Sequence, residues 1–269
     1  MIHTKRVARP FALAALALLL PAAQAQQVEK VATDVPAQEL PAHKMEELRG
    51  DIAMAKKFYG DAISQYQKAL QAEPRNAGLL NKIGIAYHQQ MQWNNAKKYY
   101  ERAIRADKTH AFAVNNLGMV HYHKKKWKNA AKEFHRALEL RSDLPAVESN
   151  LGHAYFMMKK YDEAFSAFGR ALALDPQVFE RRSGNAGSIL QDRSVEDRAQ
   201  YYFFLARTFA SVNDVERCAQ YLLKARDENY RGLLAIEKDP AFAAVVKDER
   251  IQEFLVQTRT LAQSQTRKE

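Results

Sequence analysis

Residues 111–144 read AFAVNNLGMVHYHKKKWKNAAKEFHRALELRSDL, and this stretch decides the fold. Val114, Leu117, Gly118 and His121 fall at three- and four-residue steps, one face of a helix. Lys124, Lys125 and Lys126 form a polar turn. Trp127 then opens a second segment, in which Ala130, Phe134 and Ala137 again share a helical face. The unit is helix–turn–helix, and it recurs at a fixed period. Gly50, Gly84, Gly118 and Gly152 stand 34 residues apart. So do Ala62, Ala96, Ala130 and Ala164, and Ala69, Ala103, Ala137 and Ala171. Two aromatic columns keep the same register: Tyr59, Trp93, Trp127, Tyr161 and Tyr66, Tyr100, Phe134, Phe168. A period of this size marks a solenoid. One hairpin cannot bury its own apolar face, so stacking on its neighbours is what folds it. Gly118 and Ala130 are expected to be small because two helices cross there, with Trp127 and Phe134 filling the space towards the next hairpin. The prolines agree: Pro74 and Pro176 follow second helices, and Pro145 opens a first helix, where its missing N–H costs little.

These columns resemble the tetratricopeptide repeat. The second copy gives Leu80-x2-Ile83-Gly84-x2-Tyr87, then Ala96-x3-Tyr100 and Ala103; the fourth gives Leu151-Gly152-x2-Tyr155, Ala164-x3-Phe168, Ala171 and Pro176. The first copy departs most, with Arg49 and Ala53 at the Leu and Tyr positions. The resemblance implies an all-α, right-handed superhelical solenoid of stacked helix-turn-helix hairpins. Four repeats are expected at 43–76, 77–110, 111–144 and 145–178. A degenerate fifth, at 199–232, carries Leu205-Ala206-x2-Phe209 and Cys218-x3-Leu222-x2-Ala225. An insert at 179–198, containing Ser183-Gly184-Asn185-Ala186-Gly187-Ser188, separates it from the fourth as a connector or a lid. Residues 233–258, with Asp239-Pro240, Phe242, Val245, Ile251, Phe254 and Leu255, resemble the terminal segment that closes some bacterial arrays of this family. Residues 26–42 are expected to be a flexible leader and 259–269 a polar tail.

The first 25 residues read as an export signal. Lys5, Arg6 and Arg9 precede an apolar run from Phe11 to Leu20, and Ala23-Gln24-Ala25 supplies a cleavage site. The expected location is periplasmic or secreted, with no membrane-spanning segment after cleavage. Removing those residues takes away three cations and no acid, leaving +7 of the formal charge of +10. The 47% apolar content excludes a disordered chain, and one cysteine excludes an intrachain disulfide. Export and the lack of base-stacking aromatics beside the lysines argue against nucleic acid as partner.

No motif for chemistry emerges. Gly184 and Gly187 lack the Lys-Ser/Thr of a phosphate loop, and no Gly-x-Ser-x-Gly or His-Glu-x-x-His occurs. His121 and His123 lie two apart on a helix and cannot share a metal. Cys218 occupies the small-residue column and reads as a buried hydrophobe. Catalysis, cofactors and metals are not expected.

The resemblance instead implies a concave groove lined by first helices. Its family columns give Glu47, Asp51 and Met54; Asn81, Ile85 and His88; Asn115, Met119 and Tyr122; Ser149, His153 and Phe156; Phe203 and Arg207. Exposed apolar side chains in these columns would seat a peptide, with asparagines holding its backbone. Glu47 and Asp51 stand where carboxylate-capturing relatives carry a lysine and an asparagine, so capture of a C-terminal carboxylate is not expected. The expected role is a non-catalytic scaffold for a protein or peptide partner of the cell envelope. The alternative is a surface binder in which Lys124, Lys125, Lys126, Lys128, Lys159 and Lys160 form a basic ridge for anionic polymer, lipid or an acidic partner.

Overall fold

A computed structural model describes residues 40–180 and 195–266. Residues 1–25, expected to be an export signal, the expected leader at 26–39, residues 181–194 of the expected insert and residues 267–269 of the tail lie outside the described residues. Four hairpins follow one another: α1 (Ala42–Ala55) with α2 (Tyr59–Ala72), α3 (Ala77–Gln89) with α4 (Trp93–Ala106), α5 (Ala111–His123) with α6 (Trp127–Leu140), and α7 (Pro145–Met157) with α8 (Tyr161–Leu174). A fifth pairs α9 (Val195–Ser211) with α10 (Val215–Asp227). Two short 3-10 segments, Leu233–Glu237 and Pro240–Phe242, lead to α11 (Glu249–Thr266). The described chain is an all-α helical repeat solenoid.

Each hairpin closes by the same device. The N–H of Phe58 donates to the carbonyl of Ala53 at 2.9 Å, Gln92 to Tyr87 at 2.9 Å, Lys126 to His121 at 2.9 Å, Lys160 to Tyr155 at 3.0 Å and Asp214 to Phe209 at 3.0 Å. This is the Schellman closure, which satisfies carbonyls left over at a helix end and needs one residue with positive φ. Lys57, Met91, Lys125, Lys159 and Asn213 fill that position, with φ between 56° and 62°.

The glycine column has a sharper cause than helix crossing alone. A Cβ on Gly118 would meet the Phe134 ring at 2.6 Å and the Ala130 carbonyl at 3.3 Å. Phe134 thus packs on the first helix of its own hairpin, not only towards the next. The rings of Tyr66, Tyr100, Phe134 and Phe168 are wholly buried, and the alanines between them have no exposed surface. Burying such side chains contributes about 1.5–3 kcal/mol each, and only the stacked array offers that burial.

The fourth and fifth hairpins meet through aromatic rings. Phe156 lies 5.6 Å from Tyr201 and 5.5 Å from Phe204, and Tyr161 lies 5.0 Å from Phe204. Phe179 fits between Phe168, at 5.4 Å, and Phe209, at 6.0 Å. The array closes with buried Phe242, Val245, Ile251, Phe254 and Leu255. Asp239 caps the second 3-10 segment by accepting from the N–H of Ala241 at 2.9 Å. The helix α11 continues through 259–266, a stretch without glycine or proline to stop it. Among the described residues, no helix is long and apolar enough to cross a membrane.

Candidate functional site

The first helices carry a ladder of side-chain contacts, each linking one repeat to the next. Asn116 Nδ2 donates to Asn81 Oδ1 at 3.0 Å, and Asn150 Nδ2 donates to Asn115 Oδ1 at 3.0 Å. Lys82 Nζ donates to Glu47 Oε1 at 2.9 Å and to Asp51 Oδ1 at 2.8 Å. Asn116–Asn81, Asn150–Asn115 and Lys82–Glu47 all join residues 35 apart, one period plus one. The sixth residue of a repeat thus reaches back to the fifth residue of the one before. Asp51 also accepts from the Tyr66 hydroxyl at 2.7 Å. Lys82, reinforced by Lys44, holds the Glu47 carboxyl below the usual range. Burial first, then the Asp51 carboxylate, raises the Tyr66 phenol.

The groove residues expected from the sequence divide into three groups. Ile85, His88 and Asn115 are half-buried on this face. Asn81 and Ser149 are buried, Asn81 as a rung of the ladder. Met119, Tyr122, His153 and Phe156 retain between 2% and 6% of their surface, so the expectation that Met, Tyr and Phe are exposed there is corrected. Their columns are filled from neighbouring elements. Tyr122 packs edge-on against Trp127 at 4.8 Å. His153 Nδ1 donates to the Ser149 carbonyl at 2.7 Å, which leaves Nε2 to accept from the Tyr201 hydroxyl, also at 2.7 Å. Tyr201 thus links α9 to α7 over His153. Arg207 is committed too: it pairs with Asp239 at 2.9 Å and stacks on Phe165 at 4.3 Å, which ties the closing segment to the fifth hairpin. Sequence reasoning missed Phe112, seven residues before Met119 on α5 and 49% exposed. Its signal was a large apolar residue at the start of a first helix, three residues before Asn115.

His88 sits in a ring cluster, 5.0 Å from Trp93 and 5.2 Å from His123, with Trp93 stacked on His123 at 4.6 Å. Burial, with the charge of His123 added, pushes His88 down to about 4. Burial also lowers His121. Among the described residues no group of three metal-ligating side chains comes together. The Cys218 thiol is buried and pushed up to about 12.

The lysines named for the ridge lie at or beside the turns. Lys125, Lys126, Lys128, Lys159 and Lys160 are exposed. Lys124 is half-buried and donates to Asn94 Oδ1 at 2.5 Å, and Lys160 pairs with Glu163 at 2.8 Å. Met91-Gln92 and Asn213-Asp214 hold the corresponding places in the second and fifth turns, so the basic character is confined to three hairpins.

Stacked hairpins, a glycine–ring column and a ladder at a one-period offset define a helical-repeat protein of the tetratricopeptide class. Family models described as tetratricopeptide or TPR repeat match residues 50–90, 77–110 and 109–177. The chain is a tetratricopeptide-repeat protein. Among solved structures it is similar to MamA residues 41–end from Desulfovibrio magneticus RS-1, at 16% identity, covering 70% of this chain and 94% of that one, with a TM-score of 0.50. It is also similar to YrrB, described as a TPR protein with an unusual peptide-binding site, at 21% identity over 79% and 95% of the chains, TM-score 0.46. The first TPR of Spaghetti (RPAP3), bound to an HSP90 peptide, shares 26% identity over 43% and 91%, TM-score 0.38. These likenesses concern the fold. A search of curated proteins returns no match.

Proposed function

We propose that this chain is a non-catalytic scaffold of the bacterial cell envelope that binds an extended segment of a partner protein along its first helices. The supporting observation is the ladder. Lys82, Asn116 and Asn150 are each held in place by the repeat before, so the strip is ordered before any ligand arrives. Order paid in advance reduces the entropy lost on binding. Half-exposed Ile85 and exposed Phe112 flank the strip and offer apolar contacts, while the Asn115 amide offers a hydrogen bond to a peptide backbone. The export reading rests on the N-terminal sequence pattern alone.

Panning a random dodecapeptide library against the chain tests the reading. Enriched peptides should lose about tenfold in affinity, roughly 1.4 kcal/mol, with Ile85→Arg or Phe112→Ser. The helical signal should not change. Failure to enrich any sequence, or binding that ignores both substitutions, would overturn it.

Exposed Lys125 and Lys159, one repeat apart on adjacent turns, favour a second reading in which the turn edge holds an anionic surface. That association would collapse between low and high salt, because exposed charges are screened over about 8 Å at physiological ionic strength. Binding to anionic vesicles that survives high salt, or that ignores Lys125→Gln with Lys159→Gln, would rule it out.

A further inference from the structure

The first hairpin leaves exposed an apolar face whose counterparts in the second, third and fourth hairpins are buried. Met45, Leu48 and Ile52 lie three and four residues apart on α1 and are 37%, 45% and 47% exposed. The residues one period on from Met45 and Ile52, namely Leu79, Ala113 and Val147, and Ala86, Val120 and Ala154, are all buried, on first helices that each pack against the second helix of the preceding repeat. Leu48 belongs to the column of Lys82, Asn116 and Asn150, whose side chains reach back to the repeat before. It is the apolar member, and no described repeat precedes it.

We propose that residues 26–35 of this chain dock on Met45, Leu48 and Ile52 in the place that a second helix holds in the later repeats. Three observations select this occupant. The undescribed N-terminal chain joins the described part at Leu40, beside this face, and Leu40 is itself exposed. Its sequence places Val28, Val31, Ala32 and Val35 at steps of three, four and seven, with Glu29, Lys30, Thr33 and Asp34 between them. That is the pattern of one apolar helical stripe. Ten helical residues would span roughly 15 Å, enough to lie along the eight residues from Met45 to Ile52. The connection, residues 36–41, is six residues long and opens and closes with proline. Segments 73–76 and 107–110 join second helices to the next first helices in four. A second copy of the chain is the weaker occupant, because three partly exposed side chains fall far short of the roughly 800 Å² per partner of a stable interface. A tethered segment needs no such area, since a short linker gives it an effective concentration in the millimolar range.

Hydrogen exchange of the α1 amides in the otherwise intact chain tests the proposal. Val28→Asp with Val31→Asp should speed exchange in α1 by about tenfold and leave α5 and α6 unchanged. Leu48→Asp should do the same from the other side of the contact. Both sets of substitutions lie at the solenoid's end, and sedimentation should report a monomer throughout. Unchanged α1 exchange in the leader variant would overturn the proposal. So would a dimer that Leu48→Asp dissociates, which would give the face to a second copy.

Discussion

A methyl group on Gly152 would lie 2.4 Å from Cδ1 and Cε1 of Phe168. Gly50 meets Tyr66 at 2.4 Å and Gly84 meets Tyr100 at 2.5 Å in the same way. No real Cβ tolerates such an approach, and Phe168 is wholly buried, so its ring cannot swing aside. The column is therefore glycine for a ring, not for backbone freedom, since these glycines are helical with ordinary φ.

Sign decides the test at Gly152. In an open helix Gly→Ala gains up to about 1 kcal/mol from propensity. Here Gly152→Ala should instead lose about 1–3 kcal/mol in a urea melt, the cost of overpacking. Phe168→Leu in the same chain should recover part of that loss, with a coupling of at least about 0.5 kcal/mol. Strict additivity would show that the ring is not the obstacle.

The turn lysines carry a backbone cost. Lys159 adopts φ 58° in the Schellman position that glycine usually fills. The left-handed conformation costs a residue with a Cβ roughly 1–2 kcal/mol, partly offset by the greater entropy that glycine loses on folding. Lys159→Gly should therefore raise stability by about 0.5–1 kcal/mol. Lys159→Ala, which keeps the Cβ, should give no gain. Equal effects from the two would trace the change to charge.

Cys218 aligns with Ala164, Ala130, Ala96 and Ala62, all without exposed surface. A thiol pushed up to about 12 by burial is almost entirely protonated at pH 8 and is a poor nucleophile. The folded chain should resist alkylation and react fully in denaturant. Cys218→Ala should cost less than about 1.5 kcal/mol, as expected of a small-volume change. Rapid native labelling would mean that the fifth hairpin opens on its own.

The fold was legible because the 34-residue period writes one contact many times: Gly118 and Phe134 repeat as Gly84 and Tyr100. The groove was less legible. Column position told where Tyr122 and Phe156 project, but their burial depends on Trp127, Tyr201 and Phe204, and Tyr201 and Phe204 arrive from beyond an insert that breaks the register. The ladder was hidden for another reason. Its partners are 35 residues apart, so aligning copies at 34 places Asn116 under Lys82, not beside Asn81.

The last prediction concerns pH. His88 has its folded pKa pushed down to about 4, against about 6.5 in an unfolded chain. Between those values the unfolded chain binds the proton and the folded chain does not. Stability therefore rises with pH across this window and falls as pH drops from about 6.5 towards 4. Trp93, Tyr100 and His123 face the imidazole, and none offers a negative charge to relieve the cost. The loss from this group amounts to about 3 kcal/mol by the bottom of the window. His121, also lowered by burial, adds to the same slope. The carboxylates act in the same direction but lower down: Glu47, held low by Lys82, loses its contribution only as pH falls below about 4.5. Urea midpoints at pH 7, 6 and 5 should thus decline in the parent, and His88→Gln should flatten that decline while leaving the drop below pH 4. An equally steep decline in the variant would assign the titration to His121 instead.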